Sequence, residues 1–413
     1  MISEKTIFIA LLLIIAADFI LERVLAFLNA KSAKAKIPSE LEGIYDEEKY
    51  EKSQKYNRES GRFSMLSATF SFLLTFCAIY FGWFGALDSW LRIFSPFEPV
   101  TTLMFFGVLF ILSDLIGTPF SIYNTFVIEE KYGFNKTTIK TYLIDKLKSY
   151  LLTIIIGGLL LSVLIYLIMI LGSDFWIYFW LVISVFMLFT NMLYATVLLP
   201  LFNKLVPIEE GALKNAIQNY SDKVNFPLKN IFVIDGSKRS SKGNAFFSGF
   251  GKQKKVVLYD TLIAKHSVEE LTAVFAHEVG HYKKKHIIQG VVISVLSIGF
   301  TLFLLSKMIL NSEVSWAMGG EISAVHLNML AFGILYSPLS HIIGLLSNLL
   351  SRKNEYEADA YATKTYGGQP LIAALKKLSS DHLSNLTPHP AYVFVHYSHP
   401  PLIQRVRAMK KNM

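Results

Sequence analysis

Residues 267–281 read Ser-Val-Glu-Glu-Leu-Thr-Ala-Val-Phe-Ala-His-Glu-Val-Gly-His, and this stretch decides how the chain is read. Ser267 followed three positions later by Glu270 is the pattern of a capping box. Leu271, Val274 and Phe275 then recur at helical spacing, with no proline in the segment. The spacing predicts a helix that carries His277 and His281 on one face, four residues apart. Two imidazoles so placed can present nitrogens to one Zn2+ ion, with Glu278 beside them as general base for a water. A catalytic zinc usually has three protein ligands and a water, so the pair needs a third partner. Residues 351–360, Ser-Arg-Lys-Asn-Glu-Tyr-Glu-Ala-Asp-Ala, supply candidates. Glu355 and Asp359 are four apart and share a helix face, while Glu357 points elsewhere. One carboxylate can bind the metal and the other can hold the far nitrogen of a ligand histidine. Spacing leaves open which does which.

The rest of the chain is that of a mainly α membrane protein. Hydrophobic residues make up 53%, phenylalanine numbers 32, and 17% of residues are charged, where a soluble chain carries about a quarter. Seven apolar runs reach bilayer length: residues 6–27, 63–84, 101–123, 150–171, 176–198, 287–310 and 327–350. The first does not read as a cleaved signal peptide, because its apolar core is long and contains Asp18, and Glu22 and Arg23 stand where small residues are expected. Charge alternates along the connections. Residues 30–62 carry eight Lys or Arg, residues 129–148, 206–286 and 351–413 are also basic, and residues 311–325 carry none. This predicts an outside N-terminus and basic, catalytic segments in the cytoplasm, at a bacterial inner membrane or a eukaryotic endoplasmic reticulum. The net charge of +9 follows from that topology and from attraction to membrane lipids. No nucleic-acid motif accompanies it. The single cysteine, Cys77, excludes an internal disulfide and a cysteine zinc site.

Four parts follow from this pattern: residues 1–205 with the first five spans, 206–286 with HExxH, 287–350 with the last two spans, and 351–413 completing the zinc site. The hairpin of spans brings both polar segments to one membrane face, where they can form one α+β domain. Residues 211–224 read as a helix, 231–235 and 255–260 as strands, and 244–249 as a loop or extended segment. An edge strand there could add an extended peptide to the sheet, with 244–247 and 255–259 as candidates. His286, next to Lys283–Lys285, reads as a marker of the membrane interface. Polar groups inside the spans, Asp18, Glu22, Asp114, Asn191, Ser337, His341 and Asn348, are costly and tend to face an interior.

With these residues in place, the chain resembles the type I CAAX prenyl endopeptidases, integral-membrane zinc metalloproteases with a glutamate as third ligand. The resemblance covers nearly the whole chain. It rests on His277–His281, on Glu355 and Asp359, and on residues 45–63 and 124–135, which resemble the family's first two cytoplasmic loops. It rests also on Asn244-Ala245-Phe246-Phe247, which resembles the substrate-facing segment, and on Ser398-His399-Pro400-Pro401 with Arg405. The resemblance implies a gluzincin-like zinc protease domain built from two segments, below seven helices enclosing a water-filled chamber. It makes Glu355 the third ligand and Asp359 a histidine's partner. It places His399 and Arg405 near the scissile carbonyl, where a histidine can donate a hydrogen bond to the oxyanion. Asn244, Ala245 and Phe246 become substrate contacts. The implied activity is removal of the last three residues from a lipid-modified, prenylated CAAX peptide or protein. A quality-control protease of the same fold, degrading misfolded membrane proteins, is the rival enzyme. A seven-helix receptor or scaffold with a fortuitous HExxH is the rival from another class, and it leaves Glu355–Asp359 and Ser398–Pro401 unexplained.

Overall fold

A computed structural model describes residues 2–33, 37, 43, 46–248 and 254–413; Tyr45 and Gly249, named in the segments above, lie outside the described residues. The chain opens with α1 (Glu4–Lys31), α2 (Glu47–Tyr80), α3 (Trp83–Arg92) and α4 (Glu98–Tyr123). Then come α5 (Ile139–Leu152), α6 (Gly158–Leu171), α7 (Phe175–Leu193) and α8 (Leu199–Phe202). A sheet-bearing stretch follows: β1 (Leu205–Pro207), α9 (Ala212–Lys223), β2 (Leu228–Ile234), β3 (Ala245–Ser248), β4 (Lys254–Tyr259), α10 (Asp260–Ile263) and α11 (Val268–Lys283). Next are α12 (His286–Ser306), α13 (Ser312–Ala317), α14 (Val325–Leu335) and α15 (Ser337–Thr365). The chain closes with α16 (Gly368–Asp381), α17 (Pro390–His396) and α18 (Leu402–Lys411).

Among the described residues, four helical stretches are long and apolar enough to cross a membrane: Glu47–Tyr80, Glu98–Glu129, Ile139–Phe202 and His286–Ser306. α14 and α15, bent by 51°, give a fifth if they form one crossing. Pro338, which has no N–H to continue the helical ladder, stands at the start of α15. The seven apolar runs of the sequence map unevenly onto these stretches. Residues 150–171 and 176–198 both fall in Ile139–Phe202, whose 64 residues far exceed the length of one crossing. Its helical course breaks at Gly172, which has φ 55° and ψ −128°. Residues 6–27 lie in α1, where Asp18, Glu22 and Arg23 interrupt the apolar run. The polar groups within the spans have partners. Asp18 accepts from Ser337 and lies 3.4 Å from His341 Nε2. Glu22 lies 3.4 Å from His396 Nε2, and Asn348 Nδ2 donates to the Val395 carbonyl at 2.7 Å. Asp114 pairs with Lys146 Nζ at 2.7 Å.

The four strands form one sheet in the order β1-β2-β4-β3, with β2 and β4 parallel and the outer pairs antiparallel. This corrects one expectation: residues 255–259 belong to β4, paired on both sides, so only the 244–247 segment supplies an edge. Strand alternation sends Val256 and Leu258 into a core with Phe275, Ala276 and Val279 of α11, and Leu371 and Val406 beyond. Val257 and Ile234 turn to the other face, against Leu199.

α11 begins as its sequence dictates. Ser267 Oγ accepts from the Glu270 N–H at 3.2 Å, and Glu270 Oε2 accepts from the Ser267 N–H at 3.1 Å. Its second face lies hard against α15. A Cβ on Gly280 would stand 2.9 Å from Ala358 Cα and 3.0 Å from its carbonyl oxygen. Only glycine permits this approach. Gly280→Ala should destabilise the fold by about 1–3 kcal/mol, seen as a lowered thermal midpoint of the full-length protein. Gly290→Ala, inside α12 where a Cβ meets nothing within 4 Å, should not lower the midpoint.

Candidate metal centre

The close seam between α11 and α15 brings His277, His281 and Glu355 together. Their donor atoms lie within 4.8 Å of one another. His277 Nε2 and His281 Nε2 are 3.2 Å apart. Glu355 Oε1 is 3.2 Å from His281 Nε2, and its Oε2 is 3.6 Å from His277 Nε2. Ligands held at about 2.0–2.1 Å around a tetrahedral zinc stand roughly 3.3–3.4 Å apart. The separation of the two imidazole nitrogens lies close to that edge length, and one or other Glu355 oxygen lies 3.2–3.6 Å from each. Glu355 is buried, and its carboxylate faces both imidazoles. The residues therefore fit a divalent metal.

Both histidines are held from behind. His277 Nδ1 lies 2.9 Å from Asp359 Oδ1, so Nδ1–H donates to the carboxylate and Nε2 is left free toward the centre. His281 Nδ1 lies 3.0 Å from His286 Nδ1, and His286 Nε2 lies 3.2 Å from Glu357 Oε2. One proton arrangement satisfies the row. His281 Nδ1–H donates to His286, and His286 Nε2–H donates to Glu357. Sequence reading missed this chain and assigned His286 to the membrane interface. His286 is buried. The reason is local: Lys285 adopts φ 61° between α11 and α12, which breaks the helix and turns His286 back toward His281. Helical periodicity carries no signal for such a break; only the short His281–His286 spacing hints at it.

Arg405 stands against the two carboxylates of α15. It is 8% exposed, and its guanidinium grips Asp359 through Nε at 2.8 Å and Nη2 at 2.6 Å. Nη1 lies 3.1 Å from Glu355 Oε2. Its donors meet the carboxylates, and it does not line the cavity described below. His399 stands on the open side, its side chain 63% exposed and its Nε2 3.3 Å from Glu355 Oε1. Burial alone would raise the carboxyl of Glu355, which lies beyond the apolar part of α15. The neighbouring His281 and the charge of Arg405 instead hold it at about 2. Burial acts the same way on Asp359, and the Arg405 clamp holds it at about 2. Glu278 goes the other way, pushed up by burial.

A cavity of about 480 Å³ opens in front of Glu278 and His281. One wall is Phe246 and Phe247 of β3, and the opposite wall is Ile293 of α12 and Ser347 of α15. Of the expected substrate contacts, only Phe246 lines it. Ala245 packs against the core. Asn244 is exposed, and its carbonyl accepts from the Tyr259 N–H.

An HExxH helix completed by a glutamate from a second helix, set on apolar membrane helices, defines a class: integral-membrane metalloendopeptidases. Comparison with known proteins agrees. Residues 27–204 match the profile described as CAAX prenyl protease N-terminal, five membrane helices, and residues 207–413 match peptidase family M48. The CAAX prenyl protease 1 homolog of Mus musculus is 34% identical over 456 residues, covering 99% of this chain and 96% of the mouse protein. CAAX prenyl protease 1 of Saccharomyces cerevisiae is 35% identical over 405 residues, covering 92% of this chain and 89% of the yeast protein. The crystal structure of S. mikatae Ste24p shares the fold with a TM-score of 0.91, at 34% identity and 98% coverage of both chains. The chain belongs to peptidase family M48, and the receptor reading falls away.

The His281–His286–Glu357 row generates a test. His286→Ala should weaken metal affinity about 10- to 100-fold, measured by metal titration of stripped full-length protein, with Glu357→Gln acting in the same direction. Unchanged affinity in both variants would leave the row without a role.

Proposed function

We propose that this chain is a zinc-dependent membrane endopeptidase that removes the C-terminal tripeptide from prenylated CAAX-type proteins. What carries the reading is the meeting of two features at Glu278: the His277–His281–Glu355 donor set and a cavity walled by an edge strand and two apolar helices. The names of relatives aligned over nearly the whole chain support the substrate class. Two imidazole nitrogens and a carboxylate oxygen are the donors zinc favours in catalytic sites. Bound there, zinc supplies a Lewis acid that acidifies water and polarises a carbonyl. Glu278 takes the proton of the attacking water and returns it to the leaving amine. Its raised proton affinity suits a group that holds that proton between the two steps. His399, on the open rim, donates Nε2–H to the developing oxyanion. β3 receives the extended substrate along its free edge, and Phe246 lines its path.

The wider architecture we propose has residues 206–286 and 351–413 as one protease domain, split by the 287–350 hairpin and joined to the 1–205 bundle. Seven crossings enclose a chamber, with the protease domain in the cytoplasm. The break at Gly172 supports two crossings within residues 139–202, and the basic segments on the protease side support the orientation.

The test is cleavage of one CAAX peptide, with and without a farnesyl group, by purified wild type and Glu278→Gln. Wild type should cleave the farnesylated form preferentially. Glu278→Gln should keep about one zinc per chain and lose activity by roughly 10²-fold or more, whereas His281→Ala should lose the metal. Near-normal turnover by Glu278→Gln would overturn the mechanism. Equal cleavage of both peptides would move the substrate to misfolded membrane proteins.

A further inference from the structure

The first third of α2 is polar, and one side of it is fully used. Ser53 Oγ and Asn57 Nδ2 donate to the Leu383 carbonyl at 3.1 and 2.9 Å, and Tyr56 donates to Glu129. The other side is a cationic stripe. Lys52, Lys55, Arg58 and Arg62 are exposed and follow one another at helical spacing. With Lys131 they line a cleft of about 520 Å³. Lys55 pairs with Glu51 at 2.6 Å and Lys131 with Glu59 at 2.7 Å. Among the described residues, Lys52, Arg58 and Arg62 have no ion-pair partner. Like charges three and four apart on a helix repel, so the stripe is stabilised by whatever anion it meets.

The basic cleft does not end in water. Glu59 and Arg62 also line a second cavity of about 560 Å³, whose other walls include Phe63, Leu66, Phe120 and Tyr123. Arg62 thus stands at the junction, where α2 turns apolar and becomes a helix able to cross a membrane. Cations on one side of this boundary and aromatic and aliphatic walls on the other match an amphiphile with an anionic head and a hydrocarbon tail. Guanidinium groups suit a phosphate, which they can grip through two N–H donors.

We propose that this double cleft binds an anionic phospholipid, its phosphate between Arg58 and Arg62 and an acyl chain against Phe63, Leu66 and Phe120. The site is separate from the metal centre, yet joined to the substrate strand. Tyr132 lines the basic cleft and packs edge-on against Tyr56, 5.0 Å between ring centres. Glu129 links Tyr56 to Lys242, three residues before β3. A bound lipid braces the base of that strand.

Native mass spectrometry of the full-length protein, delipidated in neutral detergent, tests this. Titration with phosphatidylglycerol should show one lipid retained per chain, at least about tenfold more tightly than phosphatidylcholine. Arg58→Gln/Arg62→Gln should remove that preference, and Leu66→Glu, on the apolar wall, should weaken retention of both lipids. Lys410→Gln/Lys411→Gln, on α18, should change nothing. All three variants alter exposed side chains, so their thermal midpoints should match wild type. Equal retention of the two lipids by wild type, or an unchanged preference in the double arginine variant, would overturn the proposal. So would displacement of the lipid by inorganic phosphate alone, which would mark a free-anion site, or by a farnesylated CAAX peptide, which would mark a substrate subsite.

Discussion

The distance between α11 and α15 governs everything at the centre, and Gly280 sets it. Each helix is fixed by separate means. α11 is capped at Ser267 and packed on the sheet through Phe275, Ala276 and Val279. α15 is anchored from the far end of the chain, where Arg352 donates to the Val393 carbonyl at 3.1 Å and Arg405 clamps Asp359. With Gly280 against Ala358, the two histidines of one helix and the two carboxylates of the other fall within bonding reach. Neither helix holds a complete donor set alone. The site is assembled by tertiary contact and is no property of either sequence segment.

Charge balance gives the same centre its chemistry. Glu278, Glu355 and Asp359 crowd a buried region whose one fixed cation is Arg405. Buried charges are tolerated only when paired and hydrogen-bonded. Arg405 answers Asp359 and part of Glu355, and the balance still leans negative. A dication held by His277, His281 and Glu355 would redress it.

Much of this was legible in the residues, and what was not has physical causes. The capping box, the helix phase of His277 and His281, and the shared face of Glu355 and Asp359 are local features, and local spacing reads them. Spacing alone could not separate Glu355 from Asp359; in the fold Glu355 faces both His277 and His281, and Asp359 lies between His277 and Arg405. His286 was misread because a left-handed residue at Lys285 cancels the helical register that would have located it. The contacts of Arg405 with Asp359 and Glu355 could not be read from its motif, because they join segments about fifty residues apart. Six of the seven apolar runs fall in helical stretches long and apolar enough to cross a membrane, one of them only if α14 and α15 form a single crossing. Their ends and joints, at Gly172 and Tyr336, depend on breaks that hydropathy does not register. Strand order was likewise beyond the sequence, since β4 looks as much like an edge as β3 until pairing is known.

That strand order has a consequence for selectivity. An edge strand offers a guest chain peptide N–H and carbonyl groups, which every polypeptide shares. A segment laid along β3 is therefore held by its backbone almost regardless of its side chains. Discrimination has to come before docking, from what can reach the cleft at all. The cleft is lined also by Ile293 and Ser347, from α12, long and apolar enough to cross a membrane, and from α15, which reaches that length only together with α14. An enzyme built this way is permissive about spelling and strict about address.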